Sequence, residues 1–177
     1  MRSKDSERKS EEKIFSLSAL ASISESRRKN GEKIVLCHGC FDPIHPGHLA
    51  HFKEAKKLGD ILIVSLTCDK YVREQKGEGR PVYSQGVRAL FIAEFECVDF
   101  VIVNGKPTVE DLIFALKPNF YVKGSEFKNK KTDFLLREEK IVKEVGGELC
   151  FLSGDIIFSS TELVEKNLFP VRGGRIN

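Results

Sequence analysis

The chain has 177 residues, a net charge of +3, and 41% hydrophobic and 31% charged residues. That length can bury one full core, the composition is that of an ordinary globular domain, and no apolar run approaches the ~18 residues of a membrane helix. Of the 29 Lys/Arg and 26 Asp/Glu, 8 and 5 fall in the first 30 residues and 21 and 21 in the rest, so the positive surplus is local and calls for no nucleic-acid partner.

The five cysteines are odd in number and scattered through apolar segments. That usage points to reduced thiols and a cytoplasmic protein rather than a disulfide framework. The start, MRSKDSERKSEEK, is too polar for a secretory signal. Residues 1–12 are expected to be a disordered tail, 13–168 a single domain and 169–177 a flexible tail.

Within the domain, Ile14, Leu17, Leu20, Ala21 and Ile23 recur at helical spacing and predict a helix over 14–29, stopped by Asn30-Gly31. Lys33 to Cys37 reads as a buried strand. Pro46 sits in the first turn of a helix running from 45 or 46 to Leu58. Ile61 to Thr67 is a second buried strand. Residues 69–83 are polar, basic and punctuated by Gly77, Gly79 and Pro81, and read as a mobile loop. A helix over 85–95 and a strand over 98–103 follow. Next come a helix over 108–116 capped by Thr108, and a strand over 120–122. A helix over 134–145, a strand over 148–152 and a last helix capped by Ser159 or Ser160 complete the series. Apolar strands alternating with helices predict an α/β fold. Its core is a Rossmann-like parallel sheet of about five strands with helices on both faces. Ligands of such sheets bind at the carboxyl ends of the strands.

All four histidines, His38, His45, His48 and His51, lie within fourteen residues at one such end, in VLCHGCFDPIHPGHLAH. A glycine turn between strand and helix lets backbone amides approach a phosphate, and the helix start adds unpaired N–H groups and a positive dipole end. Gly47 lets a ligand lie close against that start. His45 and His48, three apart, can face one point and stabilise a phosphoryl-transfer transition state. A lone histidine more often caps or packs; two in this turn point to chemistry.

HGCFDPIHPGH resembles the GxFDxxHxGH signature of the nucleotidyltransferase superfamily, whose members join a nucleoside triphosphate to a phosphorylated acceptor and release pyrophosphate. LGDILIV, KGEGRPV, ECVDFVIV, KPNFYVKGSEF and GGEL are most similar to the heptose-phosphate adenylyltransferase (ADP-heptose synthase) subgroup. Glycerol-3-phosphate cytidylyltransferases share much of that layout. FDPIHPGHL and SSTEL also resemble nicotinate- and pantetheine-type adenylyltransferases. The resemblance implies that His45, His48 and Lys76 are catalytic. It implies nucleotide contacts around Gly39, Cys40, Phe41, Asp42, Gly47, Arg88, Lys123, Gly124, Ser159, Ser160 and Thr161, with Asp42 fixing the turn through hydrogen bonds to backbone. Lys76 and Arg80 would reach the acceptor phosphate or triphosphate from the loop. It further implies ATP or CTP as substrate, Mg²⁺ carried on the triphosphate with no protein metal site, and a homodimer. A separate sugar kinase in the same pathway is a further implication. The alternative for Arg88 is a solvated helix charge, and for Ser159 or Ser160 an ordinary N-cap, which is compatible with a phosphate contact. The chain departs from the heptose enzymes at His38 (Asn there), at IHPGH, and at Ser125-Glu126 (Gly-Asp there), which leaves the acceptor open.

The same residues allow other readings. Cys37-x-x-Cys40 with the histidines has the residue types of a zinc site, but a strand Cys37 and a turn Cys40 point differently. No thioredoxin-like context supports a redox pair. HxGH is also similar to class I aminoacyl-tRNA synthetases, yet the chain is short and lacks a KMSKS-like partner motif. A nucleotide-sensing regulator would keep the pocket without needing the whole catalytic set.

Overall fold

The computed structural model describes residues 10–129 and 132–152. Five strands form one parallel sheet: β1 (Ile34–Gly39), β2 (Ile61–Thr67), β3 (Phe100–Asn104), β4 (Phe120–Gly124) and β5 (Glu148–Leu152). Their spatial order is β3-β2-β1-β4-β5. Register is fixed by alternation, since a one-residue slip would turn each buried set to the wrong face. Ile34 aligns with Ile61 and Val35 with Leu62, so like faces meet.

The helices are α1 (Leu17–Lys29), α2 (Pro46–Lys56), α3 (Asp69–Lys76), α4 (Gln85–Ala93), α5 (Glu110–Leu116) and α6 (Asp133–Glu144). A 3₁₀ turn, Ser125–Phe127, follows β4. One core joins Val35, Cys37, Leu62, Val64 and Leu66 to Phe52 and Ala55 of α2 and Ala89, Ile92 and Ala93 of α4. The other joins Ile34, Leu36, Ile61, Ile63 and Tyr121 to Leu20 of α1, Leu112, Ile113 and Leu116 of α5 and Val142 of α6. Both sheet faces are therefore covered by helices, as the apolar runs of β1 and β2 require.

The boundaries depart from expectation where polar contacts override pattern. Ile14 pairs with Val101 as an isolated bridge, and α1 starts only at Leu17, with Ser16 capping Ala19 N at 3.3 Å. The charged start is already packed at Ser10, which is buried and donates to Glu94 Oε1 at 2.6 Å. Residues 69–76 of the expected mobile loop form α3, which buries Val72 against the body. Val109, not Thr108, caps α5; the Thr108 carbonyl accepts from Asn104 Nδ2 at 2.8 Å. The last expected helix, residues 1–9 of the tail expected over 1–12, and the tail expected over 169–177 lie outside the described residues.

The crossover from β3 through α5 carries the chain past β2 and β1 to β4, so strand order reverses between β1 and β4. In open α/β sheets the ligand crevice lies at that reversal. His38 and Gly39 end one of these strands, Lys123 and Gly124 the other.

Candidate active site

The turn after β1 is built from close contacts. A Cβ on Gly39 would sit 3.1 Å from the Phe41 ring, closer than most Cβ contacts, so glycine leaves room for that ring to fold back over the turn. Phe41 adopts φ +49°, a left-handed conformation that costs a non-glycine residue roughly 1–2 kcal/mol. Its ring is buried edge-on against His48 (5.2 Å) and Phe52 (5.1 Å), which holds the strained backbone in place.

Asp42 is buried, and both its oxygens are engaged. Oδ2 accepts from Arg80 Nε and Val82 N, each at 2.8 Å, and Oδ1 from Tyr83 N at 3.0 Å. Asp42 thus ties its turn to residues 80–83 across the site. Arg80, expected to reach a substrate phosphate from a mobile loop, is instead buried and paired with Asp42 through its side chain and the Asp42 carbonyl. Its charge is spent on structure.

Arg88, which the resemblance places among the nucleotide contacts, is fully buried, which excludes the alternative of a solvated helix charge. Its guanidinium donates to the carbonyls of Cys40 (2.5 Å), Thr67 (2.9 Å) and Tyr83 (3.0 Å) and to Asp69 Oδ1 (2.7 Å). A planar fork with fixed donors is the side chain that can hold four acceptors from the β1 turn, the end of β2, α3 and the start of α4 together. Its place beside Ala89, on the face of α4 that also carries Ile92, was the legible signal.

His45 caps α2 in extended conformation, with Pro46 and Gly47 as the first two helical residues. The His45 backbone N–H donates to His48 Nδ1 at 3.3 Å, and the two rings stack at 3.7 Å. An Nδ1 that accepts a hydrogen bond has no proton, so neutral His48 carries its N–H on Nε2. Burial lowers the pKa of His48 to about 3, with His45 and His51 adding to the effect. Burial lowers His45 as well. Two neutral imidazoles at a helix N-terminus, beside a turn of backbone amides, form a donor cluster for an anion. His38 faces the other way, with Nδ1 3.0 Å from Ser65 Oγ; burial first, then Lys123, lower its pKa to about 3.

Lys76 ends α3 and is exposed. Lys123 is withdrawn: it pairs with Glu138 of α6 at 2.9 Å on the sheet face opposite α2. Gly124 remains at the end of β4 on the α2 side. Cys37 is buried in β1, while the Cys40 thiol donates to Gln75 Oε1 at 3.3 Å, so the two do not converge. Among the described residues no three of His, Cys, Asp and Glu are placed to hold a metal ion. Ser159, Ser160 and Thr161 lie outside the described residues.

A parallel sheet whose reversal point carries a glycine turn, a helix start and two stacked histidines is the architecture of a nucleotidyltransferase domain. The chain belongs to the cytidylyltransferase-like family, whose model matches residues 36–166. It is similar to the bifunctional protein HldE of Helicobacter pylori strain J99, at 38% identity over 147 residues, covering 83% of this chain and 30% of that protein. HldE of Desulfatibacillum aliphaticivorans is 37% identical over 163 residues, covering 92% and 32%. The chain thus spans about a third of these relatives' length. Among solved structures it is similar to a lipopolysaccharide core biosynthesis protein from Thermoplasma volcanium (TM-score 0.59, 25% identity, 72% of this chain and 100% of that one). It shares its fold with a pantoate-beta-alanine ligase from Francisella tularensis (TM-score 0.59, 17% identity, 89% and 73%). No described helix is long and apolar enough to cross a membrane.

Proposed function

We propose that this domain transfers the adenylyl group of ATP to a phosphorylated sugar of the heptose 1-phosphate kind, releasing pyrophosphate. The carrying observation is the stacked His45–His48 pair at the start of α2, with the His48 proton on Nε2. Similarity to HldE and to a lipopolysaccharide core biosynthesis protein supports a sugar phosphate as acceptor. The family description keeps CTP as the second nucleotide to test.

The acceptor phosphate is already an anion, so it needs orientation rather than a general base. One of its oxygens bonds to the α-phosphorus in line as the bond to the β-phosphate oxygen breaks, and pyrophosphate leaves with that electron pair. His45, His48 and the amides around Gly39 to Phe41 bind the α- and β-phosphates and stabilise the charge that develops there. Lys76 meets the triphosphate or acceptor phosphate from α3. Asp42, Arg80 and Arg88 hold the turn. Ser159, Ser160 and Thr161 are proposed to close the phosphate site.

The donors described at this turn are imidazoles and amides, and Asp42 is fully engaged, so these residues suit phosphate oxygens better than a Mg²⁺ ion. Bound together with the triphosphate, Mg²⁺ would supply charge neutralisation, and His45, His48 and the turn amides would hold the phosphates. A homodimer, and a sugar kinase acting before this step, complete the proposal. The test is pyrophosphate release with ATP and CTP against phosphorylated acceptors, with His48→Ala as control.

A further inference from the structure

His38 has no part in the transfer step given above, yet it stands at the centre of the crevice. It is the last residue but one of β1, at the strand end where the sheet order reverses. Ile34 and Leu36 pack among α1, α5 and α6, and Cys37 packs toward α2. Alternation therefore puts His38 on the side of the sheet away from α2. Ser65 stands beside it in register on β2 and is fully buried. Ser65 Oγ lies 3.0 Å from His38 Nδ1 and anchors that edge of the ring. The other edge differs. His38 is only part-buried, and its Nε2 has no hydrogen-bond partner among the described residues and is not enclosed. One ring nitrogen is thus fixed inside the protein while the other is open at the strand end.

In-line displacement sets where the acceptor lies. His45 and His48 hold the α- and β-phosphates from the start of α2, so pyrophosphate leaves on that side. The attacking oxygen comes from the opposite side of the α-phosphorus, which is the side of His38. Burial, then the Lys123 cation, lower the His38 pKa to about 3, so the ring is neutral at neutral pH. Ser65 Oγ can donate to Nδ1 or accept from it, so Nε2 can accept or donate in turn. A hydroxyl suits both states of that ring, and a phosphate oxygen only one. We propose that His38 is a specificity-determining residue: Nε2, held in place by the Nδ1–Ser65 contact, hydrogen-bonds a sugar hydroxyl of the acceptor. The proposal rests on the function given above and deepens it. Ser65 touches no substrate; it acts through the ring.

The test is made on the full chain with heptose 1-phosphate and its deoxy forms, each lacking one hydroxyl. His38→Phe keeps a ring without nitrogens, and adding Ser65→Ala leaves no orphaned hydroxyl behind it. In the folded double variant the KM of the acceptor should rise about two- to tenfold, the scale of one neutral hydrogen bond, while that of ATP holds. One deoxy sugar phosphate should show the same rise with the wild type and no further rise with the variant, because both changes remove a single contact. Nitrogen NMR of the His38 ring is the second readout. Heptose 1-phosphate added with a non-hydrolysable ATP analogue should move the Nε2 resonance, and the analogue alone should not. Full additivity for every deoxy sugar, or an unmoved Nε2, overturns the proposal. So does a rise in the KM of ATP alone, which would assign the hydroxyl to the ribose. A wild-type chain that transfers to no acceptor would instead sink the proposed function, and the Nε2 resonance would still decide whether His38 takes a sugar hydroxyl.

Discussion

Replacing Arg88 by leucine removes the guanidinium that joins four segments. Leucine fills part of the space but offers no donor. The carbonyls of Cys40, Thr67 and Tyr83 then lose a partner inside the protein, at roughly 1–3 kcal/mol for each group left unsatisfied. Asp69 costs less, because its side chain is 30% exposed and water can replace the guanidinium. Removing a buried cation returns some desolvation energy, so the net loss is about 3–5 kcal/mol. Against a total of roughly 5–15 kcal/mol, that is a large share. At 2–4 °C per kcal/mol for a chain of this size, the melting temperature should fall by about 6–20 °C. The Cys40 carbonyl belongs to the turn that meets the phosphates, so nucleotide affinity should fall as well. Arg88→Lys keeps the charge but cannot span four acceptors, and should fall between the two. Urea melts and calorimetric titration with nucleotide measure both effects. An Arg88→Leu protein within about 1 kcal/mol of wild type, with unchanged affinity, would refute this account of how the turn is held.

Asp42→Ala leaves Arg80 buried without its carboxylate and the amides of Val82 and Tyr83 unpaired, so a loss of about 3–5 kcal/mol is expected in denaturant melts. A loss under 1 kcal/mol would mean that water reaches the pair. His38 and His48 have folded pKa values near 3, well below the ordinary 6.5. The unfolded chain therefore binds more protons than the folded one between these values, and stability present above pH 6.5 is lost as pH falls toward 3. Melts at pH 7.5 and pH 5 test this; equal stability at both would contradict the burial of these rings. His48→Ala should lower kcat by about 10²–10³-fold, the scale for loss of one donor to a developing charge, while nucleotide still binds. Lys76→Ala should chiefly raise KM; an unchanged KM for both substrates would remove Lys76 from the site.

Much of this was legible because the sheet is buried on both faces. Ile61 to Thr67 and Glu148 to Leu152 read as strands from apolar content alone, and they form strands with those limits. The histidine turn was legible because its residue types have few other uses together. What stayed hidden were polar groups whose partners lie far along the chain. Asp69 to Lys76 reads as a loop because α3 buries a single residue, Val72, and its ties to Gln85, Arg88 and Cys40 span 16, 19 and 35 positions. Arg80 and Lys123 read as ligand contacts, and nothing local reveals that Asp42 and Glu138 pair with them. Pattern reports how much of a segment is buried, not which charge is buried with it.

The most direct measurement is pyrophosphate release by the purified chain with Mg²⁺, with ATP and CTP tested separately. The acceptors are heptose 1-phosphate, other sugar 1-phosphates, glycerol 3-phosphate, nicotinate mononucleotide and phosphopantetheine. The expected result is release with ATP and a sugar 1-phosphate of the heptose kind, lost in His48→Ala. Release that persists undiminished in His48→Ala, or none with any acceptor while nucleotide binds, would contradict the account.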